Sequence, residues 1–241
     1  MTDSRAAALL LSTALASATT CSATAACVPS PAARRQTERT GAGQRYLLHL
    51  PAAYADRPAW PLILFLHGAG ERGDDRTLVL REGLPHILEA LPDFPFVVVS
   101  PQETHTRRWT PDGLAALLDD VAETYRVDRG RVYVTGLSSG ATAALELAIR
   151  HPDRIAAVAP VAFTAIPAEL CRMKDVPAWV FHNAGDERVP EGRAKKLVAE
   201  LRACGGTGEV KLTIFPVEGH DAWTEAYRTH ELYEWLLRHR R

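Results

Sequence analysis

The most constraining stretch of the chain is Arg131–Ile149, RVYVTGLSSGATAALELAI, where a run of strand formers passes into an alanine-rich helical segment through only Gly-Leu-Ser-Ser-Gly. Val132, Tyr133, Val134 and Thr135 read as a strand buried on both faces of a parallel sheet. Gly136 and Gly140 flank Ser138 at two residues on either side, so the turn can be sharp and strand and helix can approach without colliding side chains. The spacing predicts that Ser138 stands on a strained elbow with its hydroxyl presented as a nucleophile. The N–H of Ser139 then serves as a donor to a developing oxyanion. An ordinary glycine-bounded turn is the plainer reading of the five residues taken alone.

The rest of the chain alternates in the same way. Apolar runs ended by Gly or Pro recur as YLLHLP, PLILFLHG, FPFVVVSP, IAAVAPVA, PAWVFHN and VKLTIFP. Helical segments fall between them. One is announced by Thr110-Pro111-Asp112, a cap, a first-turn proline and an acid near the positive helix end, followed by Leu114, Leu117, Leu118 and Val121 on one face. Others cover 139–150 and 191–203, and a single final helix runs from about Ala222 to Arg238. Strands alternating with helices predict a mainly parallel sheet covered on both faces.

The chain has 241 residues, 46% of them hydrophobic, enough for one large domain with a substantial core. Lys and Arg number 28 against 29 Asp and Glu, and no basic stripe stands out, which argues against nucleic acid or an anionic membrane surface as partner. Residues 1–26 carry a short apolar stretch, AAALLLSTALASA, then small residues, and read as a signal peptide; the segment is too short for a membrane span. The expected destination is therefore secreted or periplasmic. Lipid attachment at Cys21 or Cys27 is disfavoured because neither has a leucine three residues before it. Residues 27–43 read as a linker and 44–241 as the catalytic domain. Cys171 and Cys204 are the cysteines of that domain; whether they pair is not readable from their positions.

A serine on an elbow needs a base, and the base needs a group that holds its tautomer. His220 follows the strand VKLTIFP and precedes a helix, placing it at the C-terminal edge of the sheet, where ligands bind in open α/β folds. Asp186 in FHNAGDERVP also follows a strand and lies between Ser138 and His220 in the chain. Glu187 is its nearest rival. The loop His67-Gly68-Ala69-Gly70, again at a strand end, supplies a second backbone donor at Ala69, with His67 structural. Trp109 and Trp223 could flank the scissile bond and favour flat acyl groups by stacking; packing in the core or at the surface is the alternative for each.

The segments LFLHGAGERGDD, VVVSPQ, VYVTGLSSG, FHNAGDERVP and GHDAW resemble the α/β-hydrolase superfamily, in particular its small serine esterases, the carboxylesterase, feruloyl esterase and polyhydroxyalkanoate depolymerase group. The resemblance extends from about Gln44 to Arg241. It departs from the family pattern at Ser139, where Met or Gln is common, at Ala141, where Gly is common, and at Asn183, where Gly is frequent. The resemblance implies Ser138, Asp186 and His220 as a triad, the amides of Ala69 and Ser139 as oxyanion hole, no metal or organic cofactor, and a small-molecule or polymer-derived ester as substrate. It also implies no large cap domain, since only Phe163–Val176 joins the two strands between which many lipases insert a lid. Two other readings stay open: a peptidase of the oligopeptidase-related type, and a catalytically silent binding module.

Overall fold

The computed structural model describes residues 36–91 and 93–241. The proposed signal peptide, residues 1–26, and residues 27–35 of the expected linker lie outside them. Eight strands form one sheet: β1 (Thr37–Gly41), β2 (Gln44–His49), β3 (Trp60–Leu66), β4 (Val97–Pro101), β5 (Val127–Leu137), β6 (Ala157–Val161), β7 (Ala178–Gly185) and β8 (Val210–Glu218), in the spatial order β1-β2-β4-β3-β5-β6-β7-β8. From β4 to β8 neighbours run parallel; β2 is antiparallel to both β1 and β4.

Every residue of β3, WPLILFL, is buried, and the side-chain alternation divides it between two layers. Leu62, Leu64 and Leu66 join the core under α2 (Pro111–Thr124), α3 (Ser139–Arg150) and α4 (Gly192–Ala203). Ile63 and Phe65 face the opposite core under α1 (Gly83–Leu88), α5 (Trp223–Arg228) and α6 (His230–Arg238). Each such side chain contributes about 1.5–3 kcal/mol relative to exposure. The cap expected for α2 is formed: Thr110 Oγ1 accepts from the Gly113 N–H at 3.1 Å, and Pro111 occupies the first turn. Between β6 and β7 there is only a 3₁₀ turn, Leu170–Met173, and no cap domain.

The structure corrects two expectations and answers an open question. The segment read as linker up to residue 43 contains β1, whose five residues pair with β2 through a tight turn at Ala42 (φ 45°) and Gly43 (φ 68°). Two successive positive φ values suit a two-residue hairpin, but β1 is a polar edge strand, TERTG, with four of its residues exposed, so no apolar alternation announced it. The final helix is broken at Thr229, which is extended (φ −69°, ψ 104°). Tyr227 and Trp235 both enter the same core; on one straight helix, at 3.6 residues per turn, they would point about 80° apart. The question it answers is the cysteine pair, left open above. Cys171, in the 3₁₀ turn, and Cys204, at the end of α4, form a disulfide with Cα atoms 5.3 Å apart.

That bridge closes a loop across a sequence separation of 33, for which the chain-entropy relation gives about 3–4 kcal/mol of stabilisation. Replacing both cysteines by serine is expected to lower Tm by roughly 10 °C, given about 2–4 °C per kcal/mol in a domain of this size. Calorimetry of the two forms measures this directly, and equal Tm values would show that the bridge constrains nothing the fold does not already hold.

Candidate active site

Ser138 sits between β5 and α3 at φ 52°, ψ −118°. That conformation is strained for a residue with a Cβ, at a cost of about 1–3 kcal/mol, and it is over-determined by its surroundings. The Ser138 N–H donates to Val161 O at 2.9 Å. A Cβ built on Gly140 would lie 2.1 Å from Leu66 O, and one on Gly136 would lie 2.6 Å from the same oxygen. Glycine at these two places therefore lets α3 start directly against the end of β3. Although Ser138 is the N-cap of α3, its hydroxyl caps nothing in the helix. Ser138 Oγ instead meets His220 Nε2 at 3.0 Å.

His220 Nδ1 lies 2.7 Å from Asp186 Oδ2. The other carboxylate oxygen, Oδ1, accepts the backbone N–H groups of Arg188 and Val189, both at 2.9 Å. With Oδ1 committed, Asp186 is left to accept the Nδ1–H of His220, and Nε2 is then the lone-pair nitrogen facing Ser138. Asp186 is buried at 4% exposure, whereas Glu187 is exposed. Asn183 stands in the position where the family often has Gly, and it has a contact of its own: its Nδ2 donates to Gly219 O at 3.0 Å. Together with the Gly219 N–H to Gly185 O bond at 2.9 Å, this ties the loop after β8 to the end of β7. His182, fully buried beneath Asp186, donates through Nε2 to Val189 O at 2.7 Å, with Asp186 Oδ2 3.4 Å away.

The expected donors stand at two helical starts. Ser139 is the first residue of α3, so its N–H has no acceptor within the helix and shares the positive end of the helix dipole. Ala69 opens the 3₁₀ turn Ala69–Glu71. The preceding Gly68 lies against the elbow: a Cβ there would be 2.7 Å from Leu137 Cδ1 and 3.5 Å from Ser138 Cβ. His67 holds this loop. Its Nε2 accepts the Glu103 N–H at 3.0 Å and its Nδ1–H donates to Gly68 O at 2.6 Å. Beside Gly68, burial raises the carboxyl of Glu71, and the nearby Glu82 raises it further.

Burial also pushes the His67 imidazole down to about 4, against the opposing pull of the Gly68 carbonyl and Glu103. In the unfolded chain a histidine titrates near 6.5. Between those values the unfolded state binds a proton that the folded state refuses, so stability falls as pH drops through this window, by about 3 kcal/mol in all. Urea midpoints at pH 7 and pH 4.5 are expected to differ by more in the native chain than in a His67→Gln variant. Equal differences would remove His67 from the acid sensitivity.

The two tryptophans are placed differently from one another. Trp223 packs edge-on to the His220 ring, centroids 5.5 Å apart, and its indole N–H donates to Glu82 Oε2 at 2.9 Å. Trp109 packs edge-on to His67 at 4.6 Å, one step further from Ser138. Sequence reasoning missed Arg72 and Glu103. Arg72 donates to Glu103 Oε2 at 2.6 Å and reaches Ser139 Oγ at 3.4 Å. Both lie in polar loops without periodicity, and their contacts cross 31 and 67 residues. Among the described residues, no group of three or more His, Cys, Asp or Glu side chains is arranged to hold a metal ion.

Comparison with known families bears on this geometry. The family described as "Putative esterase" matches residues 37–179, more than half of the chain. The chain belongs to that esterase family. The match begins at the first residue of β1 and stops before Asp186 and His220, so those two rest on the geometry above. A relative from Nocardia uniformis subsp. tsuyamanensis, "Putative esterase NocK", is 30% identical over 189 residues, 71% of this chain and 53% of that protein. The chain thus spans about half the length of this curated relative. Among solved structures, a thermostable esterase superposes with a TM-score of 0.69 at 27% identity, over 86% of this chain and 64% of the other. A ferulic acid esterase superposes with a TM-score of 0.62 at 17% identity, over 83% and 95%, a likeness of fold. The esterase fold is accordingly an α/β-hydrolase fold, with Ser138, Asp186 and His220 at the C-terminal ends of β5, β7 and β8.

Proposed function

We propose that the chain is an exported serine hydrolase that cleaves carboxylic esters through an acyl-enzyme. The observation that carries the reading is the continuous chain of contacts Ser138 Oγ, His220 Nε2, His220 Nδ1, Asp186 Oδ2 on a strained elbow. In this reading Ser138 Oγ attacks the ester carbonyl while His220 Nε2 takes its proton, and Asp186 stabilises the imidazolium that forms. The Ser139 and Ala69 N–H groups receive the oxyanion, each worth roughly 10²- to 10³-fold in rate. His220 then returns the proton to the leaving alkoxide, and the same steps run with water release the acid. Trp223, in contact with His220, is the better placed of the two tryptophans to border the acyl or alcohol group.

Export is supported by the apolar N-terminal stretch and by the Cys171–Cys204 bridge, which persists in oxidising compartments. The short β6–β7 connection supports soluble or short-chain esters over triglyceride surfaces. A fluorophosphonate probe tests the whole assignment. It should label the purified protein at Ser138, and p-nitrophenyl acetate should be turned over. Labelling without turnover of any ester would direct attention to amide substrates, and no labelling would leave only a binding role.

A further inference from the structure

Beside the proposed catalytic site, at the same edge of the sheet, is a cavity of about 450 Å³ whose wall includes Arg45, Arg76, Arg107, Arg108, Asp74 and Trp109. Its charges do not balance. Arg76 and Arg45 share one carboxylate, Glu38, at 2.7 and 3.9 Å, and Glu38 stands half exposed. Arg108 shares Glu103 with Arg72, at 3.2 and 2.6 Å. Arg107 donates to a carbonyl, Gly43 O, at 2.5 Å and has no carboxylate partner among the described residues. Among the described residues these five arginines thus have two carboxylate partners between them, Glu38 and Glu103, while Arg76 also donates to the backbone carbonyl of Asp74 at 2.9 Å. The indole N–H of Trp109 is buried without an acceptor among the described residues. Guanidinium groups are donors only, suited to a planar anion such as a carboxylate.

The cavity is joined to the reaction site through one loop and one ring contact. Gly73 and Asp74 on its wall directly follow Arg72, which touches Ser139. Gly73 lies four chain steps from Ala69, with three residues between them, a reach of at most about 14 Å. Trp109 lies against His67, which holds Gly68 beside Ser138. Ala69 and Gly73 are thus within the span of a medium-length extended acyl chain.

We infer that this cavity receives an anionic end of the ester substrate, so that the chain's substrates are esters carrying a carboxylate some distance from the scissile carbonyl. The inference rests on the ester-hydrolase reading. It is tested with p-nitrophenyl half-esters of dicarboxylic acids from adipate to sebacate, each compared with the same ester methylated at its far carboxyl. At the best chain length the free acid is expected to exceed its methylated counterpart in kcat/KM by about tenfold or more, mainly through KM, since a hydrogen bond to a charged group is worth about that factor or more. Joint replacement of Arg107 and Arg108 by Ala should cut that preference about tenfold, and replacement of both by Lys should cut it less. Arg129→Ala, at the opposite edge of the sheet, removes a charge without touching the cavity and should leave the ratio in place. A ratio near one at every length, a ratio unmoved in the Ala pair, or an equal fall in Arg129→Ala would overturn the inference while neutral-ester turnover kept the esterase reading intact. Failure to cleave either kind of ester would remove both.

Discussion

Replacement of Ser138 by Ala is expected to lower kcat on p-nitrophenyl acetate on the order of 10⁶-fold, the scale of loss when the serine of such a unit is removed, because in the proposed mechanism Ser138 carries the acyl group. The fold should survive, since among the described residues Ser138 Oγ bonds only to His220, and it caps no helix. A Ser138→Gly variant adds a second readout. It should be as inactive as the alanine form yet more stable than it by about 1 kcal/mol, because glycine adopts φ 52°, ψ −118° without the strain a Cβ imposes. Substantial turnover in Ser138→Ala would end the assignment. Equal stability of the two variants would mean that the elbow stores no strain.

Replacement of Asp186 by Asn is expected to cost about 10⁴-fold in kcat with the site otherwise intact, and the structure supplies the reason. The Arg188 and Val189 N–H groups hold Oδ1, so the asparagine oxygen must take that position and its NH₂ must face His220. Nδ1 then becomes the acceptor and Nε2 carries the proton, leaving His220 unable to accept from Ser138. Glu187→Gln, at an exposed side chain, should change the rate less than about twofold. A loss below tenfold in Asp186→Asn, with a severe loss in Glu187→Gln, would move the acid by one residue.

Much of this site is legible along the chain because its signals are local. The glycine spacing around Ser138, the Thr110-Pro111 cap and the fully apolar β3 each follow from steric or hydrogen-bonding demands within a few residues. Each of Ser138, Asp186 and His220 follows a strand, which places them at one edge of a parallel sheet, and their order along the chain is that of the α/β-hydrolase pattern. What could not be read has the opposite character. Strand β1 is polar because an edge strand facing water needs no apolar face. Trp223 reaches Glu82 across 141 residues, and Arg72 reaches Ser139 across 67, pairings that no periodicity encodes.

The sequence by itself determined the alternation of buried strands and amphipathic helices, the strained elbow at Ser138, and the set of residues from which a base and an acid could be drawn. These depend on backbone sterics and local hydrophobic period, which act between near neighbours. Only the tertiary structure decided that Asp186 and not Glu187 faces His220, that Cys171 meets Cys204, that the last helix breaks at Thr229, and that Arg107 and Arg108 share a cavity with Trp109. Those outcomes depend on where side chains from distant segments point once the sheet register is set, and packing across the whole core, not any local rule, sets that register.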